Sequence, residues 1–375
     1  MITSGFRIST SFFTYREPHC RHHESGISEL DALFDLLNLT KLVTDMTVSI
    51  VLGRLAELRL VLERRYSSAV SGMNPSAYGF IGKAFIDYHL AQENVVEDIF
   101  TVDIISVKNK NHFQCDATVF EKLNKIIQEV KPDEIYNFSG SFSNIFEKDY
   151  LNNVIVTKNI FDSIVLNENY NCKILINGSA AEYGFLKDIN MPIKENHPLN
   201  PISSYGLTKI YQTYLAITYF LRNDVQVYIA RPFNIIGYGI STNLFIGRLL
   251  EGIKNNIKNK DKIVVGNLNN ERDYLDIEDL IRAYDKIMNY GSPGEIYNIG
   301  SGISIKMQNL FDMFLKLFGI ATTEVEINKN FTSKYDVPKI IADISKLSKL
   351  EWAPKITLEE SIIKIKKNMV QKRNK

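Results

Sequence analysis

Tyr205 and Lys209 stand four residues apart in "PISSYGLTKIYQTYLA", where a run with helical spacing begins, so both side chains leave one face of a helix. An ammonium group one turn from a phenol favours the phenolate by Coulomb attraction. This lowers the phenol pKa and makes the tyrosine a usable proton donor or acceptor near neutral pH. The same lysine is long enough to reach a sugar hydroxyl. Alone, the pair is a weak signal, because many exposed helices carry a solvated Tyr-x-x-x-Lys. Its context sharpens it. Upstream, "ILINGSAAEYG" reads as a buried strand running into a small polar turn. Ser179 ends that strand, where a hydroxyl can bond a substrate oxygen beside Tyr205, although serine after a strand is also ordinary turn chemistry.

A second stretch, "AVSGMNPSAYGFIGKAF", resembles an interrupted dinucleotide-binding loop. Such a loop sets glycines at three-residue steps between a strand and a helix. Gly79, Phe80, Ile81 and Gly82 supply the last step, but Ser76 stands where the first glycine belongs, and the next glycine upstream is Gly72. Either Ser76 replaces that glycine, or Gly72 still ends the first strand. In the second case Met73 to Tyr78 bulge outward around an Asn74-Pro75 turn. The middle glycine lets the backbone approach a pyrophosphate and the last allows close helix packing. With both present, the expectation is that cofactor binding survives.

The elements that must position these residues follow from periodicity. From Ser67 on, the strand candidates are "SSAVS", "DIFTVDI", "EIYNFSG", "CKILING", "VQVYIARP" and "IVVGN". Between them lie helices at "GKAFIDYHLAQE", "VFEKLNKIIQEV", "VTKNIFDSIVLNE" and "YGLTKIYQTYLAITYFLR". Strand and helix in alternation predict an α/β fold, a Rossmann-type doubly wound parallel sheet, with ligands at the carboxyl ends of its strands. Beyond residue 238 the pattern loosens around "FIGRLLEGIKN", "IEDLIRAYDKIM" and "IKMQNLFDMFLKLFG", which reads as a smaller mixed α/β region for the second ligand. The expected division is 1–66, an extension of unclear role with leucines at helical spacing; 67–237, the dinucleotide-binding domain; and 238–375, mainly substrate binding.

In order and spacing, "GFIG", "IYNFSGS", "INGSAAEYG", "SSYGLTK", "ARPFNIIGYG", "VVGNLNNERDYLDIEDLIRAY", "YNIGSG" and "DVPKIIADISKLSKLEWAPKITLEESI" resemble the extended short-chain dehydrogenase/reductases of the NAD-dependent epimerase/dehydratase family. These act on nucleotide sugars, and the resemblance covers roughly residues 67–365. "GNLNNERDYLDIEDL" and "DVPKIIADISKL" look most like the subgroup of GDP-mannose 4,6-dehydratase and GDP-4-keto-6-deoxymannose reductase.

The resemblance implies roles. Ser179, Tyr205 and Lys209 would be the catalytic set, with Tyr205 the acid/base. Asp103 would hold a ribose hydroxyl, favouring NAD over NADP because a carboxylate repels a 2′-phosphate, and Asp116 would lie near the adenine. Asn137, Phe138 and Ser139 would line the middle of the cofactor, Ser141 and Ala180 the substrate side. Pro232 would pass the nicotinamide. Asn234, Asn267 and Arg272 would bind the sugar nucleotide, with Arg272 on its diphosphate; the alternative for Arg272 is an ion pair with Glu271 or Asp273. One departure bears on the reaction. Members that eliminate water carry an acidic residue two positions after the catalytic hydroxyl residue, as the base at the sugar C5. Here that position is Ala181, and Glu182, one step on, should point to the other face. The expected chemistry is therefore hydride to C4 and a proton from Tyr205, which reduces a 4-keto-6-deoxy sugar. Epimerisation at C4 uses the same groups, and a 4,6-dehydratase remains a further alternative.

The chain has 375 residues and a formal net charge of +1, so no whole-protein field favours nucleic acid or an anionic membrane. No apolar run is long enough to span a bilayer, since the best candidate is broken by Arg54, Glu57 and Arg59. Cys20, Cys115 and Cys172 lack paired or metal-type spacing and read as reduced thiols of a cytoplasmic protein. Cys20, His22, His23 and Glu24 do not make a metal site, because adjacent loop side chains point apart and no second half-site exists. The expected partners are a nucleotide sugar, NAD or NADP, and a second copy of the chain in a homodimer or homotetramer through helices near 154–167 and 205–222. A function of another class, a non-catalytic nucleotide-binding regulator, draws on the irregular glycine loop and the extension, but leaves an aligned proton-transfer set without a use.

Overall fold

A computed structural model of the chain describes residues 74–75, 77–91, 99–167, 171–186, 191–321, 323–328, 331 and 337–371. The leucine-rich extension, the Cys20–Glu24 cluster, the strand expected at "SSAVS" and Gly72 lie outside the described residues. All described residues belong to one unit, Arg64–Lys375.

Short parallel strands alternate with helices as the periodicity predicts: β1 (Asn74–Pro75), α1 (Phe80–Leu90), β2 (Thr101–Asp103), β3 (His112–Gln114), α2 (Phe120–Val130) and β4 (Glu134–Asn137). Next come α3 (Phe146–Tyr150), one wide π-helical turn (Leu151–Ile155), α4 (Val156–Leu166), β5 (Lys173–Asn177), α5 (Ser204–Asn223) and β6 (Gln226–Pro232). Strands β1, β2 and β3 pair in parallel in that order, as do β10 (Ile296–Ile299), β6, β5 and β4. Because β1 adjoins β4, the strands follow the doubly wound order, with the direction of winding reversing between β1 and β4. Their buried runs carry aliphatic residues on both faces, as a covered parallel sheet requires. Ile174, Ile176, Val227 and Ile229 pack with α2, α4 and α5, while Tyr136, Leu175, Tyr228 and Ala230 pack with α1 and with α7 (Ile277–Tyr290).

One expectation needs correction. Asn74 and Pro75 are not a turn: they pair with Thr101 and Val102 as the end of β1. Strand β10, from beyond residue 237, lies on the edge of β6 in register, with Ile299 opposite Pro232. A strand pairing between such distant segments leaves no local signal in sequence.

The second half contributes β7 (Asn234–Ile236), α6 (Phe245–Asn259), β8 (Ile263–Val265), β9 (Glu271–Asp276), β11 (Ser304–Lys306), α8 (Met307–Phe318), β12 (Val325–Ile327), β13 (Lys339–Ile340), α9 (Ser345–Ser348) and α10 (Leu358–Gln371). Here β9 pairs with β7 and β13 in parallel and with β11 antiparallel, a mixed sheet. Strand β8 pairs with β12 and not with the main sheet. Among the described residues, no helix is long and apolar enough to cross a membrane.

Candidate active site

Asp103, Asn137, Asn177 to Ser179 and Pro232 to Asn234 end or follow β2, β4, β5 and β6, so parallel pairing sets them along one edge of the sheet. The loop from β1 to α1 borders the same edge. With β1 ending at Pro75, Ser76, Gly79 and Gly82 fall at three-residue steps between strand and helix, the spacing of a dinucleotide loop with serine at its first position. Gly79 is the N-cap of α1, and among the described residues no side chain caps that end. Such an end is suited to a phosphate. Gly82 is buried, whereas Phe80 and Ile81 pack into the hydrophobic clusters on either side. Asp103 accepts from the N–H of Tyr78 in the loop (3.1 Å) and of Ile105 (3.2 Å), which ties the end of β2 to the loop. Asp116 is turned onto Thr118, accepting from its N–H at 3.0 Å and its hydroxyl at 2.7 Å.

The strip after β4 is fastened from beneath. Asn137 donates to Thr157 at 2.8 Å and accepts from the N–H of Ser139 at 3.1 Å. Phe138 is buried and stacks on Tyr284. Asn153, in the wide turn, accepts from the Ser141 N–H (2.8 Å) and donates to Thr208 (2.8 Å). A Cβ on Gly140 would lie 3.1 Å from Asn153 Oδ1 and 3.5 Å from Lys209 Nζ, so the chain passes closely over both. Asn153 and Thr157 were not anticipated as site residues. Their signal in sequence is two polar groups one turn apart in a helix that also buries Asn159 and Ser163.

Tyr205 lies in the first turn of α5, whose N-cap Ser203 accepts from Gly206 N–H at 3.0 Å. Ser179 lies close enough to the Tyr205 phenol to act on its proton, and Phe142 meets the ring edge-on at 4.9 Å. Lys209 Nζ is 5.8 Å from the centre of that ring and donates to the Asn177 carbonyl (2.7 Å) and to Gln212 (2.9 Å). Sequence reasoning named these three residues together, and the structure sets Lys209 beneath the Tyr205 ring. Sequence misjudged their electrostatics: desolvation pushes the phenol up to about 12, with nearby Ser179 opposing. Burial likewise lowers Lys209 to about 8. In this state Tyr205 is a held proton, not a phenolate.

Glu182 is buried, yet close enough for its charge to act on Tyr205. It accepts from the Ser179 N–H (2.9 Å), from Thr213 (2.9 Å) and from the equally buried Arg231 (2.7 Å). Ala180 and Ala181 complete the turn between Ser179 and Glu182.

On the substrate side, Asn234 donates to the Asp273 carbonyl at 3.0 Å. Asn267 is half-buried and bonded to Asn270 and to the Asn269 N–H. Arg272 donates to the carbonyls of Glu271 (2.8 Å) and Val337 (2.7 Å). Asp273 is buried, taken up by Ser301, Gly302 and Ala342. Arg248, on α6, was not singled out from sequence. Like Arg272 it lies close enough to the buried Tyr274 phenol to act on it electrostatically, so two guanidinium groups border this region. Asp116 and Asn234 are thus both engaged by neighbouring residues.

A doubly wound sheet with a strand-end serine and a Tyr-x-x-x-Lys helix at its carboxyl edge is the arrangement of short-chain dehydrogenase/reductases. The family model described as GDP-mannose 4,6 dehydratase matches residues 77–365, and the chain belongs to that family. Its relatives are nucleotide-sugar reductases, epimerases and dehydratases. A putative UDP-glucose 4-epimerase of Methanocaldococcus jannaschii is 27% identical over 76% of this chain and 94% of its own length. The GDP-6-deoxy-D-mannose reductase of Pseudomonas aeruginosa is 26% identical over 56% of this chain and 69% of its own. The structure of RMD from P. aeruginosa complexed with NADPH superposes with a TM-score of 0.67 at 21% identity, covering 78% of this chain and 97% of that one.

Proposed function

We propose that this protein is an NAD(P)-dependent oxidoreductase of nucleoside-diphosphate sugars, and that it reduces a 4-keto-6-deoxy sugar, GDP-linked, at C4. The observation that carries the reading is the turn after β5. Ala181 occupies the position from which dehydratases take the C5 proton, and the adjacent carboxylate is committed to Arg231, Thr213 and the Ser179 N–H. The carboxylate of Asp149 is likewise committed, to Ser143 and the Asn144 N–H. The groups left at the site suit hydride transfer with one proton.

The residues present fit a dinucleotide. The uncapped first turn of α1 would hold the pyrophosphate, Asp103 a ribose hydroxyl, and the strip from Asn137 to Ser141 the central part. When bound, the reduced nicotinamide supplies the hydride. Tyr205 gives its proton to the C4 oxygen as the ketone becomes an alkoxide, and Ser179 bonds the same oxygen. Lys209, anchored on the Asn177 carbonyl, orients the pair. The phenol pKa near 12 suits this direction, because the acid is loaded at neutral pH. Arg272, with Arg248, would face the diphosphate.

The similarity to the M. jannaschii relative favours a second reading, epimerisation at C4 through transient oxidation. Purified protein incubated with GDP-4-keto-6-deoxymannose and NADH or NADPH separates the two. A reductase consumes reduced cofactor in proportion to keto sugar, whereas an epimerase interconverts UDP-glucose and UDP-galactose with no net consumption. Release of a 4-keto product from GDP-mannose would instead mark a dehydratase and overturn the reading.

Cofactor choice gives a separate prediction. Asp103→Ser removes the carboxylate that would face a 2′-phosphate, so the preference for NADH over NADPH is expected to fall on the order of tenfold, the equivalent of about 1.4 kcal/mol. Titration by nucleotide fluorescence measures it, and an unchanged ratio would remove Asp103 from cofactor selection.

A further inference from the structure

Glu182 occupies an unusual place for a carboxylate in a turn beside a reaction site. One oxygen, Oε1, accepts the Ser179 N–H, while the Ser179 hydroxyl accepts the Ala181 N–H, closing a reciprocal capping box around three residues. The other oxygen, Oε2, accepts from Thr213 on α5 and from Arg231 on β6. Thr213 lies on the face of α5 that carries Tyr205 and Lys209, two turns beyond the tyrosine. One buried side chain therefore joins the Ser179 turn, the helix bearing the proton donor and a central strand.

The surroundings are shaped to that contact. A Cβ on Gly178 would lie 2.6 Å from Glu182 Oε1 and 2.9 Å from the Ala230 carbonyl, so glycine is needed for the carboxylate to reach beneath the turn. A Cβ on Gly206 would lie 2.5 Å from the Ala181 carbonyl, so the turn and the start of α5 are in direct contact next to Tyr205. The Ala181 N–H donates to Ser179 Oγ, and the Ser179 hydroxyl stands near the Tyr205 phenol.

We infer that Glu182 is a positioning residue for the reaction: held by Arg231 and Thr213, it fixes the Ser179 turn so that the hydroxyl meets Tyr205 and the C4 oxygen together. The inference rests on the proposed use of Ser179 and Tyr205 in ketone reduction. The carboxylate that a dehydratase would place in the site stands here one residue later and acts from underneath.

A double-mutant cycle on the full-length protein tests it. Glu182→Gln has a single acceptor oxygen for donors on opposite sides, so its amide N–H₂ must face either the Ser179 N–H or Arg231. Its kcat for keto-sugar reduction is expected to fall on the order of 10²-fold, as for displaced reacting groups, with KM for sugar and cofactor within about twofold. In a Ser179→Ala background the same change should cost less than about twofold more, because the group it positions is gone. If Glu182→Gln does not fold, the double variant Glu182→Met with Arg231→Met removes both charges at similar volume and should show the same loss and the same dependence on Ser179.

Equal, additive losses in both backgrounds would make Glu182 a merely structural residue and overturn the inference. So would full kcat in a variant lacking the carboxylate. Full activity of Ser179→Ala would overturn the proposed role of Ser179 and this inference with it, whereas a loss in Ser179→Ala with no loss on changing Glu182 would sink the inference alone.

Discussion

Tyr205→Phe is expected to lower kcat for keto-sugar reduction by about 10²–10⁴-fold, the usual contribution of a positioned proton donor. The phenylalanine ring keeps the edge-on contact with Phe142 and the packing of the first turn of α5, so fold and cofactor affinity should be retained. What it removes is the proton that burial holds on the phenol, whose pKa of about 12 keeps it protonated across the working range. The pH profile of the parent protein should then report Lys209. Its pKa is lowered to about 8, so the ammonium that orients Tyr205 is present below that pH and lost above it. The reductive rate is expected to be level on the acid side and to fall as pH rises through about 8. A profile that instead rose with pH would indicate a phenolate base and the oxidative direction. Stopped-flow absorbance of reduced nicotinamide measures both quantities.

Arg231→Met is expected to have the largest effect on stability. Arg231 and Glu182 are almost wholly buried and 2.7 Å apart, and the guanidinium also lies 4.7 Å over the Tyr183 ring and donates to its hydroxyl at 3.0 Å. Removing one partner leaves a buried carboxylate without its counter-charge, which costs about 3–5 kcal/mol. Replacing both charges by apolar side chains of similar volume is often close to neutral. Glu182→Met with Arg231→Met should therefore recover most of the stability lost by Arg231→Met, yet remain impaired in kcat because the Ser179 N–H has lost its acceptor. Urea denaturation of the three proteins tests this; a double variant as unstable as the single one would mean that packing around Arg231, and not the unpaired charge, carries the cost.

The parts of the site legible in sequence are those that a few neighbouring residues specify. The step from Gly79 to Gly82, the helical spacing of Tyr205 and Lys209, and Ser179 at a strand end each depend on local geometry. The parts that were not legible depend on contacts between distant segments. Nothing near Ile296 announces that it pairs with Ile229. Nothing near Glu182 announces Arg231, whose partner could be known only once β5 and β6 lie side by side. The pKa of Tyr205 was misread for a related reason: the lysine was visible, but the burial that raises the phenol was not. The glycine loop belongs to the same lesson. Asn-Pro reads as a turn by itself, yet here it ends a strand because Thr101 and Val102 supply its parallel partners.

The most direct test of the central claim is the fate of the hydride. Reduced cofactor deuterated at nicotinamide C4 should be incubated with GDP-4-keto-6-deoxymannose and the sugar product read by proton NMR. Deuterium at sugar C4, stoichiometric with cofactor oxidised and formed about 10²–10⁴-fold more slowly with Tyr205→Phe, is the predicted result. Cofactor left unconsumed, or a product carrying no deuterium at C4, would contradict the account.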